Sequence, residues 1–204
     1  MRKDLVLVFD FDGTIADSTG SMNKVFSRLA SEFGFNKIDL SKLKNLGSRE
    51  ILKELGIPSH KLPFILSRIR KNFSQEVPNL KPIPGIPKVL ETLNKRRQRM
   101  GIVTSNSEEN VKKFLKNNKL DFFKFISGGS SFLGKDKKLK QIIKDRKLLS
   151  DQVIFIGDET RDIEAARKVG IKVLSVGWGH NTKKLLQKQN PDWLISEPAE
   201  LLLI

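Results

Sequence analysis

Val6-Leu7-Val8-Phe9-Asp10-Phe11-Asp12-Gly13-Thr14 decides the fold. Four apolar residues, largely β-branched or aromatic, run straight into two carboxylates one residue apart. An uninterrupted apolar run suits a strand buried on both faces, as in a parallel sheet. Asp10 falls where the run ends, so it is expected at the carboxyl edge of the sheet, where open α/β folds place ligands. Strand alternation aims Asp10 and Asp12 the same way and turns Phe11 aside. Gly13 gives the backbone the freedom a sharp exit requires.

Downstream the period changes. Met22, Val25, Phe26, Leu29 and Phe33 recur at spacings of three and four before Gly34, which predicts an amphipathic helix with a glycine stop. Asp39 or Ser41 is placed to cap a short second helix ending at Gly47. Ser48 is placed to cap a third, bearing Ile51, Leu52 and Leu55, and Ser59 a fourth, bearing Leu62, Ile65, Leu66, Ile69 and Phe73. Residues 17–78 therefore read as all-helical. Pro78, Pro82, Pro84, Gly85 and Pro87 form the densest group of breakers and mark the return to the main domain. Beyond them, strand-like runs at 101–104, 122–126, 153–156, 171–176 and 193–195 alternate with helical stretches. That alternation predicts an α/β fold with a parallel sheet. The expected division is a core of 1–16 and 79–204, interrupted by a helical domain at 17–78.

The 204 residues contain no cysteine, which excludes disulfides, thiolate metal sites and cysteine nucleophiles. No apolar run approaches the roughly 18 residues of a membrane span, and the first residues lack the pattern of a secretory signal. A cytoplasmic location and no membrane partner are the expectations. A net charge of +15 favours anionic ligands. The basic residues are spread over nearly every predicted helix, and the thirteen Phe and two Trp form no base-stacking stripe. Nucleic acid is therefore not the expected partner.

The predicted strand tips and the loops after them carry Asp10 and Asp12; Ser105 and Asn106; Lys135; and Asp158, Glu159 and Asp162. In a parallel sheet these tips meet at one edge. Clustered carboxylates repel and need a cation, and hard oxygen donors without His or Cys select Mg²⁺. A lysine and a hydroxyl beside that metal suit a phosphoryl group, and one carboxylate left to attack gives an aspartyl-phosphate route. Competing assignments exist: a solvated lysine face for Lys135, a helix cap for Ser105, a first-turn acid for Asp162. His60 and His180 fit no motif and read as surface or packing residues.

Asp10-Phe11-Asp12-Gly13-Thr14, Val103-Thr104-Ser105-Asn106, a downstream Lys135 and Gly157-Asp158-Glu159 with Asp162 together resemble the four motifs of the haloacid dehalogenase superfamily, in order and over nearly the whole chain. The helical insert resembles the C1-type cap of the phosphoglycolate phosphatase-like branch. The resemblance implies a Rossmann-like core, a mobile helical cap, Asp10 as nucleophile and Asp12 as general acid and then base. It also implies Mg²⁺ held by Asp10, Asp158 and the Asp12 carbonyl, with Glu159 and Asp162 acting nearby or through water. Ser105, Asn106 and Lys135 would hold the transferring phosphoryl group. Lys135 is followed by Asp136, where this branch more often has Pro. Asp12 favours a phosphatase over a dehalogenase, with a small phosphorylated metabolite as substrate. A phosphomutase shares the same core, and a noncatalytic protein binding nucleic-acid ends is the reading from another class. Arg49, between two insert helices, is a candidate for a distal anionic group of the substrate. A monomer or a homodimer is expected.

Overall fold

A computed structural model describes residues 5–36, 39–129 and 134–203. Strand β1 (Val6–Phe9) is buried at every position. Past a tight loop, β2 (Ala16–Asp17) pairs antiparallel with β3 (Lys81–Pro82). Three helices run between them: α1 (Thr19–Phe33), α2 (Ser48–Glu54) and α3 (Leu62–Glu76), with 3₁₀ turns at Leu40–Leu43, Ser59–Lys61 and Val77–Asn79. The chain continues through α4 (Ile86–Lys95), β4 (Arg99–Val103), α5 (Glu108–Asn117), β5 (Phe125–Ser127), α6 (Lys135–Asp145), β6 (Val153–Gly157), α7 (Thr160–Val169), β7 (Lys172–Val176), α8 (Lys183–Lys188) and β8 (Trp193–Ile195). A 3₁₀ turn at Pro198–Leu203 follows.

Six strands form one parallel sheet in the order β5-β4-β1-β6-β7-β8. This α/β arrangement is the expected one, with β1 at the centre. The chain builds outward on one side of β1 and then crosses to build on the other, so the switch point lies where β1 meets β6. Side-chain alternation divides the core between the two sheet faces. Leu7 and Phe9 join a cluster with α4 and α5, while Val6 and Val8 join one with α6 and α7. Phe11 turns away from the site and meets the edge of Phe114 at a centroid distance of 4.9 Å. The first cluster continues into the insert through Ile15, Val77 and Leu80 to Val25, Leu29, Ile65, Ile69 and Phe73. Gly34 and Gly170 end α1 and α7 with φ of 70° and 73°, conformations that cost glycine little.

Local expectations shift in several places. The strand expected at 122–126 pairs instead as Phe125–Ser127, with Phe125 opposite Gly101. A Cβ on Gly101 would stand 2.1 Å from the Phe125 ring, so the missing side chain admits the aromatic and fixes the register. The second insert helix is a 3₁₀ turn at Leu40–Leu43. Ser48 is the first helical residue of α2 rather than its cap; Gly47 precedes the helix and its N–H donates to the Glu50 carboxylate at 2.7 Å. Thr160 is the first residue of α7, behind Glu159. Asp17, expected to open the helical stretch, belongs to β2.

Candidate active site

The loop after β1 is closed by its own backbone. The Gly13 N–H donates to the Ala16 carbonyl, and the N–H groups of Ile15 and Ala16 both donate to the Phe11 carbonyl. Gly13 has φ of 75°, and a Cβ there would lie 2.2 Å from His180 Nδ1 and 2.3 Å from Asp158 Oδ2. A side chain is thus excluded twice, by backbone strain and by contact with the site.

The tips of β1, β4 and β6 and the start of α6 meet here. Lys135 is 3% exposed although it opens a lysine-rich helix. Its Nζ lies 2.6 Å from Asp10 Oδ2 and 2.6 Å from Asp162 Oδ1. Burial disfavours the ammonium, but the two carboxylates outweigh burial and hold its pKa above the usual lysine value. Asn106 donates from Nδ2 to Asp12 Oδ2 at 2.5 Å, and its own N–H is received by Thr104 Oγ1 at 3.1 Å. Ser105 lines the cavity beside Asn106.

Asp158 is fully buried and well satisfied. Its Oδ1 accepts from Thr14 Oγ1 at 2.8 Å; its Oδ2 accepts the His180 N–H at 2.7 Å and faces His180 Nδ1 at 2.8 Å. Burial raises the Asp158 pKa, yet His180 and Thr14 together bring it below the ordinary value. The reciprocal effect lifts His180 to about 9, with the Asp158 charge overcoming burial. Asp162 Oδ2 accepts the Glu159 N–H at 3.1 Å, so this residue braces the start of α7 as well as meeting Lys135. Glu159 is paired with Arg161.

Asp10, Asp158 and Asp162 place carboxylate oxygens within 4.8 Å of one another, all buried. Three hard oxygen donors this close fit a divalent cation. Asp12 lies outside this group because its carboxylate is turned to Asn106. Its Oδ1 is buried with no hydrogen-bond partner among the described residues. Burial first and the Asp10 charge second push the Asp12 carboxyl up to about 7. The same two influences, with Glu159, take Asp162 to about 7 against the pull of Lys135. Asp10 is also raised, by burial above all.

A cavity of about 160 Å³ opens beside this cluster, with Asp12, Ser105, Asn106, Glu159 and His180 in its lining. Met22, Phe26, Ile51, Leu66, Ile69 and Phe73 of the insert form its apolar roof, and Lys44, Arg70 and Arg161 also line it. Arg49 lies in the first turn of α2, and its side chain falls outside the described residues.

Reading the motifs alone misses His180, Thr14, Arg161 and Asn181. His180 is no ordinary surface or packing residue: its side chain is 22% exposed, and both its ring and its main chain meet Asp158. The signal that could have found it is its place just past the tip of β7, the criterion that singled out the other site residues.

Six parallel strands thus gather buried carboxylates and a lysine at one switch point, an arrangement that goes with a hydrolase. The chain belongs to the haloacid dehalogenase-like hydrolase family, which it matches over residues 7–176. It is 34% identical to a phosphoglycolate phosphatase of Synechococcus elongatus, over 96% of this chain and 94% of the relative. A phosphoglycolate phosphatase of Aquifex aeolicus is 28% identical over 97% and 94%. A haloacid dehalogenase-like hydrolase of Streptococcus pneumoniae shares the fold with a TM-score of 0.84, at 24% identity and over 100% and 99% of the two chains.

Proposed function

We propose that this hydrolase is a Mg²⁺-dependent phosphatase that cleaves a small phosphomonoester through an aspartyl-phosphate on Asp10, with phosphoglycolate the first candidate substrate. The observation that carries the reading is Asp12. Two residues beyond the attacking carboxylate, it is held at about 7, where one group can give and then take a proton at neutral pH.

In the first step an Asp10 oxygen forms a bond to phosphorus as the ester P–O bond breaks, and Asp12 gives its proton to the departing alkoxide. In the second, Asp12 takes a proton from water, which attacks phosphorus and frees Asp10. Lys135 offsets charge at the phosphoryl oxygens, while Ser105 and Asn106 orient them. Asp10, Asp158 and the Asp12 carbonyl are suited to hold Mg²⁺, which would neutralise the phosphoryl oxygens and keep Asp10 ionised. Asp162 and Glu159 act around this set, Asp162 through Lys135 and the start of α7. The relatives named as phosphoglycolate phosphatases support the choice of substrate.

The insert is a separate cap domain in this reading, and the cavity beneath it suits a compact leaving group. Arg49 is proposed to meet a distal anionic group. A Cβ on the neighbouring Gly47 would stand 3.6 Å from Thr160 Oγ1, so this helix start faces the Asp158 turn. The test is phosphate release from a panel of phosphoglycolate, sugar phosphates, nucleotides and a 3′-phosphorylated DNA end, with Mg²⁺ and with excess chelator. Chelator-sensitive release from a small ester is expected. Isomerisation of a sugar phosphate without release would favour the mutase, and silence with tight DNA binding would overturn the enzyme reading.

A further inference from the structure

The loop after β7 touches both the insert and the reaction centre through adjacent residues. Asn181 lies at the middle of this arrangement and is 2% exposed. On the core side its Oδ1 accepts the Thr160 N–H at 2.9 Å, and its own N–H donates to the Asp158 carbonyl at 3.3 Å. On the insert side its Nδ2 donates to the carbonyls of Leu46 at 3.1 Å and Lys44 at 3.4 Å. The same insert turn is tied down by three more bonds. The Thr182 N–H donates to the Lys44 carbonyl, Thr182 Oγ1 donates to Asn45 Oδ1 at 2.6 Å, and Lys44 Nζ donates to the Gly179 carbonyl at 3.0 Å.

We propose that Asn181 is a positioning residue that links seating of the insert to the shape of the Asp158–Asp162 turn. A primary amide has two donors and one two-lone-pair acceptor in fixed geometry. Here the acceptor is committed to the start of α7, and the donor group is committed to the insert. If the insert lifts, Nδ2 loses both carbonyls, and a buried donor without partners is costly. The amide then turns to regain partners and releases the Thr160 N–H. That loosens the turn presenting Asp158, Glu159 and Asp162, and His180 beside Asn181 shifts with it. Carboxylate placement is thus favoured when the insert is seated over the cavity. The kinetic half of this inference rests on the phosphatase reading; the structural half does not.

The test uses the full chain with Asn45→Ala, Asn181→Ala and the double variant. Asn45 is exposed and makes no site contact among the described residues, so its loss is aimed at the strap alone. Hydrogen exchange of peptides covering 158–162 is read without substrate. Release of phosphate is read with Mg²⁺ and phosphoglycolate. Asn45→Ala is expected to speed exchange at 158–162 while leaving the melting temperature unchanged. Asn181→Ala is expected to lower kcat about tenfold with KM altered less than about threefold, and adding Asn45→Ala should change little more. Exchange at 158–162 indifferent to Asn45→Ala, or additive kinetic losses, would overturn the link. If Asn181→Ala fails to fold, exchange in Asn45→Ala still decides. A wild type silent on every ester but with linked exchange would overturn the phosphatase reading and keep the strap.

Discussion

Lys135 Nζ stands 2.6 Å from Asp10 Oδ2, with both side chains sealed from solvent. An ion pair this deep is weak support for stability, since desolvation offsets much of the attraction. In the proposed mechanism it holds a cation where phosphoryl charge would develop. Lys135→Met is expected to cut kcat by about 10²–10³-fold. It also leaves Asp10 and Asp162 facing each other without their cation, so Mg²⁺ should raise the melting temperature of the variant more than that of the wild type. Calorimetry with and without Mg²⁺ checks this, and an equal gain in both proteins would count against it.

Gly13 fails as a position for any side chain. Gly13→Ala meets both a positive φ and the His180–Asp158 contact. A loss of about 1–3 kcal/mol in unfolding free energy is expected from strain alone, together with loss of phosphate release. Gly34→Ala also pays for a positive φ, but among the described residues nothing beyond its own chain neighbours lies within 4 Å of its new Cβ, so it should cost stability and spare activity.

Asp12→Asn would remove the proposed proton donor. The expected fall in kcat is about 10²–10⁴-fold for an alkyl phosphate. For an ester of an acidic phenol, whose leaving oxygen needs no proton, formation of the aspartyl-phosphate should be far less affected. Stopped-flow release of the phenol separates the two, and equal losses on both esters would contradict the acid role.

The metal-free protein should lose stability as pH rises from about 5 to 9. Asp12 and Asp162 titrate near 7 in the folded chain instead of at 3.8, chiefly because they are buried. A folded pKa raised above the unfolded one contributes stability that is complete below the unfolded value and lost as pH rises through the folded one. His180, raised from 6.5 to about 9 by Asp158, follows the same sign at higher pH. Asp158 and Glu159 are shifted down, so their contributions are already complete above about pH 5. Melting temperatures across this range, with chelator and with Mg²⁺, test the sign. A metal-free midpoint that climbs with pH would refute it.

Much of the architecture was legible because its determinants are local. The Val6–Phe9 run needs burial on both faces, the 3.6 period of Met22 to Phe33 needs one apolar partner, and Gly34 and Gly170 stop helices wherever they are packed. The register of β5 was not legible, because it follows from Phe125 filling the space over Gly101. His180 was hidden for a similar reason. Its place at a strand tip marks it as a candidate, but its bond to Asp158, 22 positions earlier, follows only once the β6 and β7 tips are side by side. Lys135 was named from sequence against a background of surface lysines, and only tertiary packing distinguishes it from Lys137 or Lys140.

Asp10 is the proposed carrier of the phosphoryl group. Phosphate release from phosphoglycolate by the wild type and by Asp10→Asn, compared in Mg²⁺ at matched melting temperature, tests it most directly. Steady release by the wild type and less than about 1% of that rate from the variant are expected. A folded Asp10→Asn protein that still turns over substrate would contradict it.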